Sequence, residues 1–104
     1  MCVEDAINEN VYTITDGASV DLDPDNGMIQ AWGLATASKT ATESFTEGQS
    51  MLLMVGILGS YTLTFPTISW VGGTAPTLTT DGNFNFIELW KIGTTLYGAY
   101  LGST

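Results

Sequence analysis

Along most of this chain, apolar and polar residues alternate with a period of two, the spacing of strands with one buried face. The tract YTLTF is the plainest case: Tyr61, Leu63 and Phe65 share one side, Thr62 and Thr64 the other. The same reading predicts strands over 11–15, 19–22, 28–34, 42–45, 51–55, 61–65, 68–71, 84–92 and 96–101. Turn residues punctuate them every eight to twelve positions, as in an all-β fold: Asp16-Gly17, PDNG over 24–27, TEGQ over 46–49, and a glycine-bearing turn over 56–60. Pro66 ends a ladder or marks an edge. Residues 35–40 (ATASKT) read as a small polar loop, and 72–82 as the longest loop. Residues 51–55 form a near-continuous apolar run, expected of a strand covered on both faces. No sustained 3.6-residue period and no internal repeat stand out.

The last hairpin, closed by Gly93-Thr94-Thr95, carries a surplus of apolar groups. One face of its first strand holds Phe84, Phe86, Glu88, Trp90 and Ile92, and the other Ile87, Leu89 and Lys91. On the return strand, Leu96, Gly98 and Tyr100 oppose Tyr97, Ala99 and Leu101. A sheet facing one core needs a single buried face. The second face must then meet another subunit, or lie beneath the 72–82 loop. Ile87, Leu89, Trp90, Tyr97 and Tyr100 are the expected oligomer or partner contacts. Trp70, Val71, Gly72 and Gly73, where a strand enters the long loop, are the expected exposed contact.

The fold expected from this pattern is all-β, an antiparallel β-sandwich or jelly-roll-like single domain with a short N-terminal arm. The arm and first strand occupy 1–18, and the sandwich 19–104. Residues 1–10 are polar and acidic, a helical turn at most.

Charge removes whole classes of function. The 104 residues include two basic side chains, Lys39 and Lys91, with no arginine or histidine, against 11 acids, for a net charge of −9. Nucleic-acid binding needs cations against phosphate, so that partner is not expected. Without imidazole, His-based triads and most zinc sites fall away. Cys2 is the one cysteine, a free thiol that fits synthesis in a reducing compartment. The first ten residues hold three acids and no base, unlike a secretory leader. The most apolar window, 51–58, is far shorter than the ~20 residues of a membrane-spanning helix, so no membrane insertion is expected.

Site chemistry is sparse. Asp21, Asp23 and Asp25 resemble the start of a calcium loop, but the sixth and twelfth positions hold Asn26 and Trp32, and Pro24 interrupts. They read as a solvated turn, and no metal or cofactor is expected. Glu43, Glu47 and Glu88 leave carboxylate catalysis formally open, yet no spacing pairs them. Glu88, between Ile87 and Leu89, is the odd one: burial would raise its proton affinity, and an edge carboxylate reaching solvent is the simpler reading. Ser50 has no base to activate it. Trp32, Trp70 and Trp90 are mainly core candidates, although exposed rings also suit sugar faces.

In order along the chain, DPDNGMIQAW, EGQSMLLM, YTLTFPTISWVGGTAPTL and FIELWKIGTTLYGAYLG resemble a small domain of bacteriophage virion proteins, often the C-terminal part of tail-fibre-like proteins. The resemblance spans about residues 20–102 and is most specific over 65–101. It implies a non-enzymatic, all-β, fibre-type surface module that forms a homotrimer, needs no cofactor, attaches to a larger virion protein and contacts a host surface glycan or receptor. It implies synthesis in the bacterial cytoplasm and a place on the virion surface. A capsid decoration or cement protein is the alternative. A polysaccharide-degrading enzyme using Glu43 or Glu88 is the remaining one.

Overall fold

The structure is a computed structural model, and residues 11–104 are described. The N-terminal arm expected over 1–10 lies outside them. Nine strands follow in order: β1 (Tyr12–Thr13), β2 (Ser19–Leu22), β3 (Ile29–Leu34), β4 (Lys39–Glu43), β5 (Ser50–Leu58), β6 (Leu63–Thr64), β7 (Ser69–Trp70), β8 (Asp81–Ile92) and β9 (Thr95–Ser103). One 3-10 turn, Pro24–Asn26, separates β2 from β3, with Asp23 accepting the Asp25 N–H at its start. The fold is therefore mostly β, as the alternation predicts.

From β1 to β7 successive strands alternate between two sheets, and β8 and β9 stay in the larger one. A six-stranded sheet has the order β1-β3-β5-β8-β9-β7, and a three-stranded sheet the order β2-β4-β6. Through β6 the chain winds as a coil, so each strand lies parallel to the strand two before it. Val20 pairs with Ala41 and Ile29 with Leu52. Parallel neighbours need a long crossover, and here each crossover is a strand of the opposite sheet. The β8–β9 hairpin then adds antiparallel to β5, and β7 returns parallel to β9. This corrects the antiparallel expectation: among the described pairings only β5–β8 and β8–β9 are antiparallel. Alternation has the same period in both arrangements, so it carries no pairing direction.

One core lies between the sheets. Val20 and Leu22 of β2, Ala41 of β4 and Leu63 of β6 meet Trp32 and Leu34 of β3, Met51, Leu53, Val55 and Ile57 of β5, and Ile87 and Leu89 of β8. β5 shows the cause. Its inward positions are buried and its outward ones half-buried, a strict alternation concealed in sequence by apolar residues at both.

Three local expectations change. β4 begins at Lys39, inside the tract expected as a loop. Lys39 is buried, its stem in the core and its ammonium 3.6 Å from Asp16 Oδ2. Asp16 Oδ1 also accepts the Trp32 indole N–H at 2.9 Å, so one carboxylate serves both buried donors. β5 runs through Gly56 rather than turning there, because Gly56 faces Phe84 of β8, whose ring occupies the space beside it. At the other end, Ile92 and Thr95 pair directly, leaving a two-residue turn with Gly93 at φ +63°.

Candidate functional site

The site is the outward face of the six-stranded sheet. Register lines up its residues in rows. Leu52 of β5 faces Glu88 of β8, which faces Ala99 of β9. One row along, Met54 faces Phe86; on the other side, Ser50 faces Trp90, which faces Tyr97. Ile29 and Ala31 of β3 continue these rows beyond Leu52 and Met54. Trp90 and Tyr97 stack, with ring centroids 6.0 Å apart and planes 16° from parallel. Phe84, Ile92 and Leu101, at 38%, 59% and 62% exposure, extend the apolar surface to its ends.

The 72–82 loop does not cover this face. It packs on the inward side, where Leu78 reaches the core. There Asn85, fully buried, holds it: Oδ1 accepts the Thr79 backbone N–H at 3.0 Å, and Nδ2 donates to the Thr79 carbonyl at 3.2 Å. Of the two destinations for the surplus apolar groups, the loop is thus excluded. Contiguous apolar surface of this kind marks interaction sites on soluble proteins.

Glu88 stands near the middle of the face. Its neighbours across the ladders are Leu52 and Ala99, and burial raises its carboxyl above the usual value. The chain's two lysines are engaged elsewhere, Lys39 with Asp16 and Lys91 with Glu43 at 3.1 Å. The edge-carboxylate reading is corrected in part: Glu88 is half-buried on a central strand, away from either lysine.

The expected contact residues divide between the two faces. Trp90 and Tyr97 are on the outward face. Ile87 and Leu89 are not available to a partner, being wholly buried between the sheets. Tyr100 also points inward, packing on the core and donating its hydroxyl to Asn85 Oδ1 at 2.9 Å. Alternation shows which residues share a face, not which face is inside. Leu52, Met54 and Phe86 take their places; the apolar run at 51–58 was the signal for the first two. In the expected contact loop, Val71 is 63% exposed and Gly72 and Gly73 turn the chain at positive φ. Trp70 instead turns inward and meets Phe65 edge-on at 5.3 Å.

The carboxylates disperse. Asp21 accepts the hydroxyls of Thr42 and Ser44, Asp23 caps the 3-10 turn, and Asp25 accepts the Gln49 amide at 2.8 Å. Glu43 lies on the inward side with Lys91, across the six-stranded sheet from Glu88, so the two make no catalytic pair. Among the described residues no cluster of three or more metal-ligating side chains forms, and no helix is long and apolar enough to cross a membrane. Comparison with known proteins gives no match to any family model, curated protein or solved structure.

Proposed function

We propose that this chain is a non-enzymatic structural module of a bacteriophage virion, of the tail-fibre type, displayed on the particle surface and assembled as a homotrimer. The two sheets are read as a small sandwich wound as a coil. The outward face of the six-stranded sheet, which the 72–82 loop leaves open, carries the proposal, and the resemblance over residues 20–102 supplies its setting. Charge argues for further copies of the same chain as occupants. At −9 the copies repel each other over most of their surface. The other described acids lie on loops and turns, at strand starts, inward, or on the smaller sheet, which leaves the outward face with Glu88 alone between Phe84 and Ala99. Copies therefore approach at least electrostatic cost through this face. Display in several copies would multiply weak contacts with a host surface through effective concentration.

Light scattering over a range of concentrations tests this. A stable species of three times the 11.1 kDa chain mass is the expected result. A monomer at every concentration would overturn self-assembly and leave the face to a larger virion protein, as in the capsid-decoration alternative.

A further inference from the structure

A second feature lies on the opposite side of the six-stranded sheet, where β6, β7 and the 72–80 loop enclose a half-open cavity of about 630 Å³. Its volume falls within the roughly 300–1,000 Å³ of small-ligand pockets. Among the described residues no charged side chain lines it. Tyr61, Phe65 and Trp70 provide half-buried aromatic surface, and Thr62, Thr67, Thr77 and Thr80 stand exposed at its walls. Hydroxyls bonded within the described fold belong to Thr36, Ser38, Thr42, Ser44, Thr79, Tyr100 and Thr104. Among the described residues the hydroxyls of the four threonines at the cavity have no hydrogen-bond partner.

We propose that this cavity binds a neutral saccharide, with pyranose faces against the aromatic rings and sugar hydroxyls exchanging hydrogen bonds with the threonines. The chemistry selects this class in two steps. Uncharged walls give an ionised ligand nothing to offset the loss of its hydration. Rings beside groups that both donate and accept suit a molecule with an apolar face and a hydroxyl edge. The walls are also held in place before any ligand arrives. Asn85 fixes the loop at Thr79, and the Gly59 N–H donates to the Thr80 carbonyl at 3.2 Å. The Tyr61 ring packs on Gly59, where a Cβ would come within 2.7 Å of it. Trp70 and Ile68 close over Gly98, where a Cβ would meet each at 2.9 Å. Such preorganisation reduces the ordering cost of binding.

The saccharide site deepens the surface-module reading by naming a ligand class and rests on that reading only for where the sugar is met. Amide NMR spectra would be recorded while glucose, galactose, N-acetylglucosamine, maltose and lactose are titrated to about 50 mM, above the roughly millimolar Kd of one weak site. Glucuronate and a proline-rich peptide are the comparison probes. The expected result is shifts confined to 61–70 and 75–80 for at least one neutral sugar, weakened several-fold in Thr77→Val and Tyr61→Ala. Thr77 is an exposed loop residue, so its variant keeps the fold if Tyr61→Ala does not. No shift with any neutral sugar, shifts outside the cavity, or binding only of glucuronate or the peptide would each overturn the proposal. A trimer that binds no sugar refutes this site alone. A monomer that binds sugar upholds the site and refutes self-assembly.

Discussion

Asn85 and Tyr100 meet across the β8–β9 hairpin beneath the sheet, the phenol donating to the amide oxygen at 2.9 Å. Asn85 also bonds the Val55 carbonyl and three groups of Thr79, so one buried side chain joins β5, β9 and the long loop. Asn85→Ala orphans several buried partners and should cost about 2–4 kcal/mol, each orphan being worth roughly 1–3 kcal/mol before relaxation. Tyr100→Phe removes one bond and should cost about 1 kcal/mol. Urea unfolding measures both, and limited proteolysis should cut the 72–80 loop earlier in Asn85→Ala than in Tyr100→Phe.

Leu89 and Tyr97 are neighbours along the hairpin yet should respond oppositely to a charge. Leu89 is fully buried, so Leu89→Asp should unfold the chain at every concentration, and even Leu89→Ala should cost about 2–5 kcal/mol. Tyr97→Lys lies on the outward face and should leave a folded monomer. Circular dichroism and light scattering together separate these outcomes. An unfolded Tyr97→Lys, or a Tyr97→Lys trimer, would place the interface elsewhere.

Glu88 makes stability and assembly depend on pH with a defined sign. Burial raises its folded value above the unfolded one, so the folded chain holds the proton more tightly. The associated stability is complete below the unfolded value and is lost as pH rises through the folded one. Glu88→Gln should therefore stabilise the chain at neutral pH and make no difference in acid. Covering the face removes more water from Glu88, so association should tighten as pH falls. Tyr97 is the one other titratable group facing this region from β9, and β5 contributes none. All carboxylates lose charge in acid, so Glu47→Gln, at an exposed turn, is the control. Equal pH dependence in both variants would remove Glu88 from the account.

Asp16 accepts the Trp32 indole N–H and forms an ion pair with Lys39, and among the described residues neither group has another side-chain partner. Asp16→Asn should destabilise by about 1–3 kcal/mol by leaving the Lys39 ammonium nearly buried without an opposite charge. Lys39→Met in that background should restore part of the loss, since an apolar stem of similar length fits the same space. Thermal melts of the two single variants and the double variant give the coupling.

Strand positions and side-chain parity were legible in the sequence because a period of two is a local property. From Ile87 to Tyr100 the residues of the last hairpin share a face with the partners that alternation assigns, and a register shift at Phe86 breaks the parity beyond. Pairing direction was not legible, because the partner of Val20 is set by a crossover through the opposite sheet rather than by an adjacent turn. Lys39 was misread for a physical reason: its burial depends on Asp16, a residue distant in sequence. The surplus apolar face was visible in Phe86, Trp90 and Tyr97. Its assignment to Ile87 and Leu89 failed, since both sides of β8 are apolar and the inner one is settled by the smaller sheet. The cavity had only a diffuse signal, the interleaving of Thr, Pro and aromatic residues between Tyr61 and Thr80.

The engagement of both lysines has an experimental use. Their side chains are only 8% and 17% exposed, and each ammonium is held against a carboxylate. Acylating reagents attack the free, deprotonated amine, so both sites should be protected for as long as the chain stays folded. Each opening of the β4 or β8 region exposes one of them to irreversible modification, and the two can be told apart by mass after digestion. The protein thus carries two native reporters of local unfolding, one on each sheet.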